Sequence, residues 1–311
     1  MKKVLFHLST ISLLILAFFA LLFLGNGYEL PQFTGSYVNE FKGWDLQIDD
    51  KLEYKNIVLP FYFKYDGSEK YTLVKKIDYN PINDNSPYAF IDYNHMYTKV
   101  FLDNKEIYNY TKENTPSYSK SPGNIYAAIP LTKDCLGKEM RIEFYPTLES
   151  GLSYSLPEIL FGDYATVMHN VFLENLLHNI IIISILLLGL VLIVLSFAVL
   201  KNRLSNQIWY ISIFAIIFAI YSITENKFNL YMLSNPYLAY LINFIVFAAI
   251  PIPLLLFYRN KVNKAFNKTY IGVTLLLAVN FFVQILLHFS HIKDIRQMLI
   301  FTHILYAVSF V

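Results

Sequence analysis

The chain of 311 residues carries a single cysteine, Cys135, so it closes no internal disulfide and builds no cysteine-based zinc site. Any part outside a membrane must be held by its own core, and Cys135 reads as a lone structural thiol near a turn. Charged residues make up only 15% of the chain, the net charge is +2, and no basic run interleaved with aromatics occurs, which excludes nucleic acid as a partner. The 11 glycines assemble no phosphate-cradling loop. Neither a cofactor nor a bound metal is expected.

Apolar residues are what the chain has in excess: 55% are hydrophobic, 17% are aromatic, and the mean hydropathy is +0.41. That composition excludes a disordered chain and argues against an ordinary soluble globule. The charges are also uneven. Tyr28 to Asn170 holds 14 Lys+Arg and 20 Asp+Glu, whereas the remainder holds 11 and 3. An ionised side chain at mid-bilayer costs roughly 2.5 to 3.5 kcal/mol, so long apolar runs with charges confined to the gaps predict a membrane domain beside a polar one.

A hydrocarbon core about 30 Å thick requires about 20 apolar helical residues. Six stretches approach that length: Val4 to Leu24, Phe172 to Leu200, Leu204 to Ile223, Tyr237 to Tyr258, Tyr270 to Phe289, and Gln297 to Val311, the last stopped short by the end of the chain. Basic residues collect on the cytoplasmic side of membranes. Lys2, Lys3, Lys201, Arg203, Arg259, Lys261, Lys264 and Lys268 fall in one set of gaps, against Lys227, Lys293 and Arg296 in the other. The first set is therefore expected inside the cell, with 28–170 outside an inner or cytoplasmic membrane. Residues 1–27 read as a retained anchor in preference to a cleaved signal with Gly25-Asn26-Gly27 at its end, because the apolar run exceeds the 7 to 15 or so residues of a signal core.

Between Trp44 and Asp163 the periodicity is that of strands. The pattern predicts Tyr54 to Phe63, Tyr71 to Tyr79, Ala89 to Tyr93, Tyr97 to Leu102, Glu106 to Tyr110, Ile125 to Leu131, Met140 to Tyr145 and Glu158 to Phe161, with a tight hairpin at Asp103-Asn104. The expected fold is thus that of a multi-domain membrane protein: an extracytoplasmic antiparallel β-sandwich, jelly-roll-like, over 28–170, and a polytopic α-helical membrane domain over 171–311.

Candidate site residues are few. Trp44, Tyr118 and Tyr126 are aromatics of the kind that meet carbohydrate or other small ligands, although half-buried strands also favour such residues. The polar loop Tyr110 to Asn124 is long enough to rim a binding surface, with a plain surface loop as the simpler reading. At membrane depth, His169, Glu174, His178 and Glu225 are candidates for helix coupling. Glu174 and His178 are one turn apart and share a helical face, which reads as an interfacial polar cluster in preference to a metal or proton site. Glu225 reads as a solvated cap, or as a group pairing across helices. Pro251 and Pro253 should kink their span, and Asn243, Asn280 and Gln284 should join helices. His288, His291 and Asp294 have no companion nucleophile and read as structural.

The order of these parts resembles the bacterial 7TM-DISM receptors, in which an extracytoplasmic β-sandwich precedes seven transmembrane helices and an intracellular signalling module. The resemblance rests on Lys99-Val100-Phe101-Leu102-Asp103-Asn104-Lys105-Glu106-Ile107-Tyr108, Ile125-Tyr126-Ala127-Ala128-Ile129-Pro130-Leu131, Ile159-Leu160-Phe161-Gly162-Asp163 and Ile223-Thr224-Glu225-Asn226. It implies a sensory region whose outer domain binds a small molecule, glycan or partner protein and relays through the helices. The family has seven such helices where five are readable here, and no Gly-Gly-Asp/Glu-Glu-Phe cyclase motif occurs. The resemblance therefore implies the sensing half of a receptor, truncated before an output module such as a diguanylate cyclase, and assigns no catalytic residue. The expected partners are the lipid bilayer, that unidentified ligand, and a second copy in a homodimer. The rival classes are a transporter, for which no internal repeat is evident, and a non-signalling adhesion or scaffold protein.

Overall fold

The computed structural model describes residues 37–81, 84–147, 153–198, 203–233, 235–259 and 266–309. The chain divides into two units, Met1–Thr34 and Gly35–Val311, and every described residue belongs to the second. The expected first span, with its Gly25-Asn26-Gly27 segment, lies outside the described residues.

From Tyr37 to Asp163 the described chain is built of antiparallel strands. β2 (Lys42–Ile48), β3 (Lys51–Val58), β5 (Tyr71–Lys76), β7 (Met96–Leu102), β8 (Lys105–Tyr110) and β10 (Glu139–Pro146) form a six-stranded sheet in the order β3-β2-β5-β10-β7-β8. β1 (Tyr37–Asn39), β6 (Pro87–Asn94), β9 (Asn124–Pro130) and β12 (Ile159–Asp163) form a four-stranded sheet in the order β1-β12-β6-β9. A ribbon of β4 (Phe61–Lys64) and β11 (Ser153–Leu156) completes the set.

One hydrophobic core draws on all three sheets. Leu46, Leu73, Val100 and Ile142 come from the six-stranded sheet, Ala89, Ile91, Ile125 and Ile129 from the four-stranded one, and Leu156 from the ribbon. Alternation along each strand delivers them: β7 buries Met96, Thr98, Val100 and Leu102 and leaves the residues between half-covered. Each such aliphatic side chain contributes roughly 1.5 to 3 kcal/mol on full burial, so the region coheres without disulfides.

The predicted hairpin at Asp103-Asn104 is present, with φ of 47° and 64° and Leu102 opposite Lys105. Both residues occupy the left-handed region that a two-residue turn of this hand demands. Other strand predictions need correction. The single strand expected over Tyr54 to Phe63 is two, because Pro60 has no ladder donor and β3 ends before it. β1, β2 and β11 were not predicted; β2 turns into β3 through Asp49 and Asp50, with φ of 46° and 67°.

The α-helices among the described residues are α1 (Tyr164–Ala198), α2 (Arg203–Glu225), α3 (Lys227–Met232), α4 (Pro236–Ala249), α5 (Pro251–Arg259), α6 (Asn267–Phe289) and α7 (Leu299–Ser309). Among the described residues, four segments are long and apolar enough to cross a membrane: Tyr164–Phe197, Asn206–Glu225, Pro236–Arg259 and Asn267–Phe289. On these segments Leu177, Val194, Phe282 and Leu286 are 61 to 70% exposed, apolar surface that water disfavours. The segment containing Pro251 and Pro253 divides at Ile250, where these residues withdraw backbone donors. α1 and α2 approach closely at Gly189: a Cβ there would meet Ile216 Cγ1 at 2.8 Å and the Ser212 carbonyl at 3.2 Å.

α1 begins at Tyr164, where Phe172 was expected, and follows β12 with no linker. Asp163 makes the join. Its Oδ2 accepts from the Thr166 backbone at 3.3 Å, while Oδ1 accepts from the Ser86 backbone at 2.9 Å. The carboxylate thus caps the helix and ties it to the strand region at once. Asp163→Ala removes the cap and orphans the Ser86 donor, at an expected cost of about 2 kcal/mol. It should lower the midpoint of thermal unfolding of the detergent-solubilised chain and expose the 163–166 junction to limited proteolysis.

Candidate functional site

In β6 and β9, alternate residues serve opposite faces of the four-stranded sheet. Ala89, Ile91, Tyr93, Ile125, Ala127 and Ile129 enter the strand core, whereas Phe90, Tyr88 and Ala128 pack with Val167, Met168 and Val171 of α1 and with Phe228 and Tyr231 of α3. The second face of the sheet therefore rests on helices, and this seam carries a dense set of polar and aromatic contacts.

One half of the seam centres on Asp92, which stands opposite Tyr126 in the β6–β9 register. Asp92 Oδ1 accepts the Tyr231 hydroxyl, and Oδ2 pairs with Lys227 Nζ at 2.6 Å. Tyr126 meets the Tyr231 ring edge-on at 5.4 Å, and burial, followed by the charges of Asp92 and Glu225, pushes its phenol up to about 12. Asn226 caps α3 through its carbonyl oxygen, which accepts from Asn229 N at 3.2 Å, and its amide donates to Asn175 on α1 at 3.2 Å. Asn229 likewise donates to Asn179 at 3.3 Å. Glu225 accepts from Asn243 on α4 at 2.7 Å, a pairing across helices.

The other half centres on His95, the residue at which the chain leaves the four-stranded sheet and enters the six-stranded one. Its φ is 58°, a left-handed conformation that permits this sharp corner. Its backbone N donates to Gly123 O at 2.8 Å, its carbonyl accepts from Thr147 Oγ1 at 2.7 Å, and its Nδ1 is hydrogen-bonded with Ser121 Oγ at 2.7 Å. The imidazole edge lies on the ring of Tyr240 from α4, 5.6 Å between centroids. Gly123, at φ +81°, sits directly against the same ring: a Cβ there would fall 2.5 Å from Tyr240 Cγ.

Beneath Tyr240, Asp294 and His288 are 0% and 1% exposed. Asp294 Oδ1 accepts from the Tyr240 hydroxyl and from Arg296 N, the latter at 3.0 Å, and His288 Nε2 meets the Tyr237 hydroxyl at 2.8 Å. Asp294 Oδ2 and His288 Nδ1 face each other at 3.9 Å, and neither makes a hydrogen bond among the described residues.

The sequence candidates are distributed unevenly over this geometry. Tyr126 lies in the seam, and Tyr118 packs beside it against Tyr237, His288, Phe289 and His291, with centroids 5.0 to 6.3 Å apart. Trp44 is 0% exposed in the strand core, where its Nε1 donates to Glu40 O at 2.7 Å, so it has no surface to offer a ligand. His169 is half-buried on α1. Glu174 and His178 are exposed, and the side chains that turn toward α3 and its cap Asn226 are the neighbouring amides Asn175 and Asn179. The 110–124 loop is docked on the helices, with Lys120 Nζ donating to Ile292 O at 2.7 Å. Asn280 and Gln284 both bond Thr302 on α7, Gln284 at 2.6 Å, and act as interhelical glue. Cys135 is buried, which pushes its thiol up. No group of three or more His, Cys, Asp or Glu suited to a metal occurs among the described residues.

Asp92, His95, Tyr231, Tyr237 and Tyr240 were not singled out from the sequence. A signal for the first was present: Tyr88, Phe90 and Asp92 occupy one strand face, where aromatics beside an acid call for a cover. No family model matches the chain, and no curated protein matches it.

Gly123→Ala should separate the loop from α4 by steric and backbone strain together, and lower the thermal midpoint by several degrees while leaving the strand core intact by circular dichroism. Burial, then the charge of Arg296, holds His95 well below the ordinary histidine value of about 6.5. The folded chain keeps it neutral while the unfolded chain takes up the proton, so stability falls as pH drops below about 6.5, by up to about 1.4 kcal/mol per pH unit until the folded group titrates. His95→Asn retains a polar partner for Ser121 and tolerates the positive φ. Its thermal midpoint should vary less between pH 7 and pH 5 than that of the parent chain.

Proposed function

We propose that this chain is the sensory region of a bacterial transmembrane receptor of the 7TM-DISM type. Its strand region is an extracytoplasmic β-sandwich of two main sheets around a shared core, and its apolar helices cross the cytoplasmic membrane. The exposed leucines, valines and phenylalanines of the helices support a lipid environment, where such surface is at home. The basic gap residues support an inward orientation for the connections after α1 and α5.

The observation that carries the signalling reading is the seam. Asp92 is held by Lys227 and Tyr231, His95 by Tyr240, and Asp163 joins β12 to α1 without a linker. A ligand that prefers one arrangement of the two sheets changes the position of β6 and β9, and the helices must follow. Coupling of this kind requires different affinities for two packings of the seam. The signal passes to an output module carried beyond these residues, by the same resemblance a diguanylate cyclase.

Topology reporters placed at Pro116 and at Asn263 should report opposite compartments, and the same compartment at both would overturn the reading. A thermal-shift screen of the whole solubilised chain against sugars and small metabolites should then yield a ligand that stabilises it, by about 2.7 kcal/mol at a hundred times its Kd. Asp92→Asn should preserve that binding while abolishing the ligand-induced change in distance between spin labels on α1 and α6. An unchanged response in the variant would remove the seam from the signal path.

A further inference from the structure

Beside the His95 corner lies a cleft of about 490 Å³, within the range of small-molecule sites. Its walls come from three parts of the chain: Tyr97 and Thr147 from the six-stranded sheet and its margin, Lys112, Ser119 and Lys120 from the 110–124 loop, and His291 from the connection between α6 and α7. Two lysines and several hydroxyl-bearing residues line it, and no carboxylate does so among the described residues. Lys112 has no ion-pair partner among the described residues. Lys120 spends one of its three donors on Ile292 O, leaving two for a guest.

We infer that this cleft binds a small molecule bearing a phosphate or carboxylate group, an inference that rests on the sensory reading above and names its ligand class. Hydroxyls alone would suit a neutral sugar. Two unneutralised lysines instead favour an oxyanion, whose charge-assisted hydrogen bonds are about twice as strong as neutral ones. The floor of the cleft is wired to the seam. Ser119 Oγ donates to Ser121 O, and Ser121 Oγ meets His95 Nδ1 at 2.7 Å, while Lys120 grips the α6–α7 connection that carries Asp294. A guest held by Lys112, Lys120 and His291 therefore bridges the strand region and the helical connection.

The oxyanion has two sources, a soluble metabolite or the phosphate of an anionic lipid headgroup. The test is amine-reactive labelling of the whole chain, read residue by residue by mass spectrometry. In neutral detergent, glycerol 3-phosphate or inorganic phosphate should suppress labelling of Lys112 and Lys120 severalfold and leave the exposed Lys51 and Lys64 unchanged, whereas glycerol and ionic-strength-matched potassium chloride should do nothing. Protection seen only in phosphatidylglycerol nanodiscs, and not in phosphatidylcholine ones, would assign the same site to the headgroup. For the soluble source, Lys112→Gln with Lys120→Gln should weaken glycerol 3-phosphate binding about tenfold or more. No protection from either source, equal protection at Lys51 and Lys64, or equal protection by glycerol overturns the inference. Such a failure leaves the receptor reading standing on its topology and distance tests, while failure of those tests leaves protection at this cleft unaffected.

Discussion

A four-stranded sheet with aromatics on both faces has to be covered twice, and that requirement organises this molecule. Antiparallel sheets commonly give one face to water. Here the first face of the β6–β9 pair is taken by the strand core, and the second, with Phe90 at its centre, is taken by α1 and α3. Water on that second face would forfeit the burial of Phe90, Val167, Met168 and Val171, so the helices are part of the fold of the strand region as well as its tether. The start of α1 at Tyr164 and the short turn of α3 both follow from closing that face.

Much of this was legible in the residues, and the places where it was not share a cause. Strands β5 to β10 declare themselves by alternation, and Asp103-Asn104 by residues that tolerate positive φ. Asp49-Asp50 makes the same turn, yet reads as an acidic pair without glycine, and β2 went unread with it. The first turns of α1 carry Thr166, His169 and Asn170, polar residues that an apolar-run criterion skips, while the cap Asp163 looked like the close of a strand. The helices themselves were readable because a long apolar segment has few other destinations.

The candidate site was harder, because ionisable groups attract the eye and amides do not. Glu174 and His178 share a face, but it is the outward one, and Asn175 and Asn179 make the contacts one position along. The aromatic candidates differ by strand direction: Trp44 points into the core, whereas Tyr126 points to the helices. His95 is a corner residue defined by two sheets meeting, a property of topology that no local pattern encodes. Such a hub is costly to disturb, since its backbone and ring groups are bonded in concert and the loss of one partner leaves others buried without theirs.

The two attachments of α3 differ in kind. Toward the sheet it is fastened by a carboxylate and an ammonium, partly open to solvent, whose attraction weakens as salt rises. Toward α1 it is fastened by pairs of asparagine amides that carry no net charge and do not titrate. The short helix is thus a hinge pin with one soldered end and one magnetic end: ionic conditions can loosen its hold on the strands while its register on the long helix stays put.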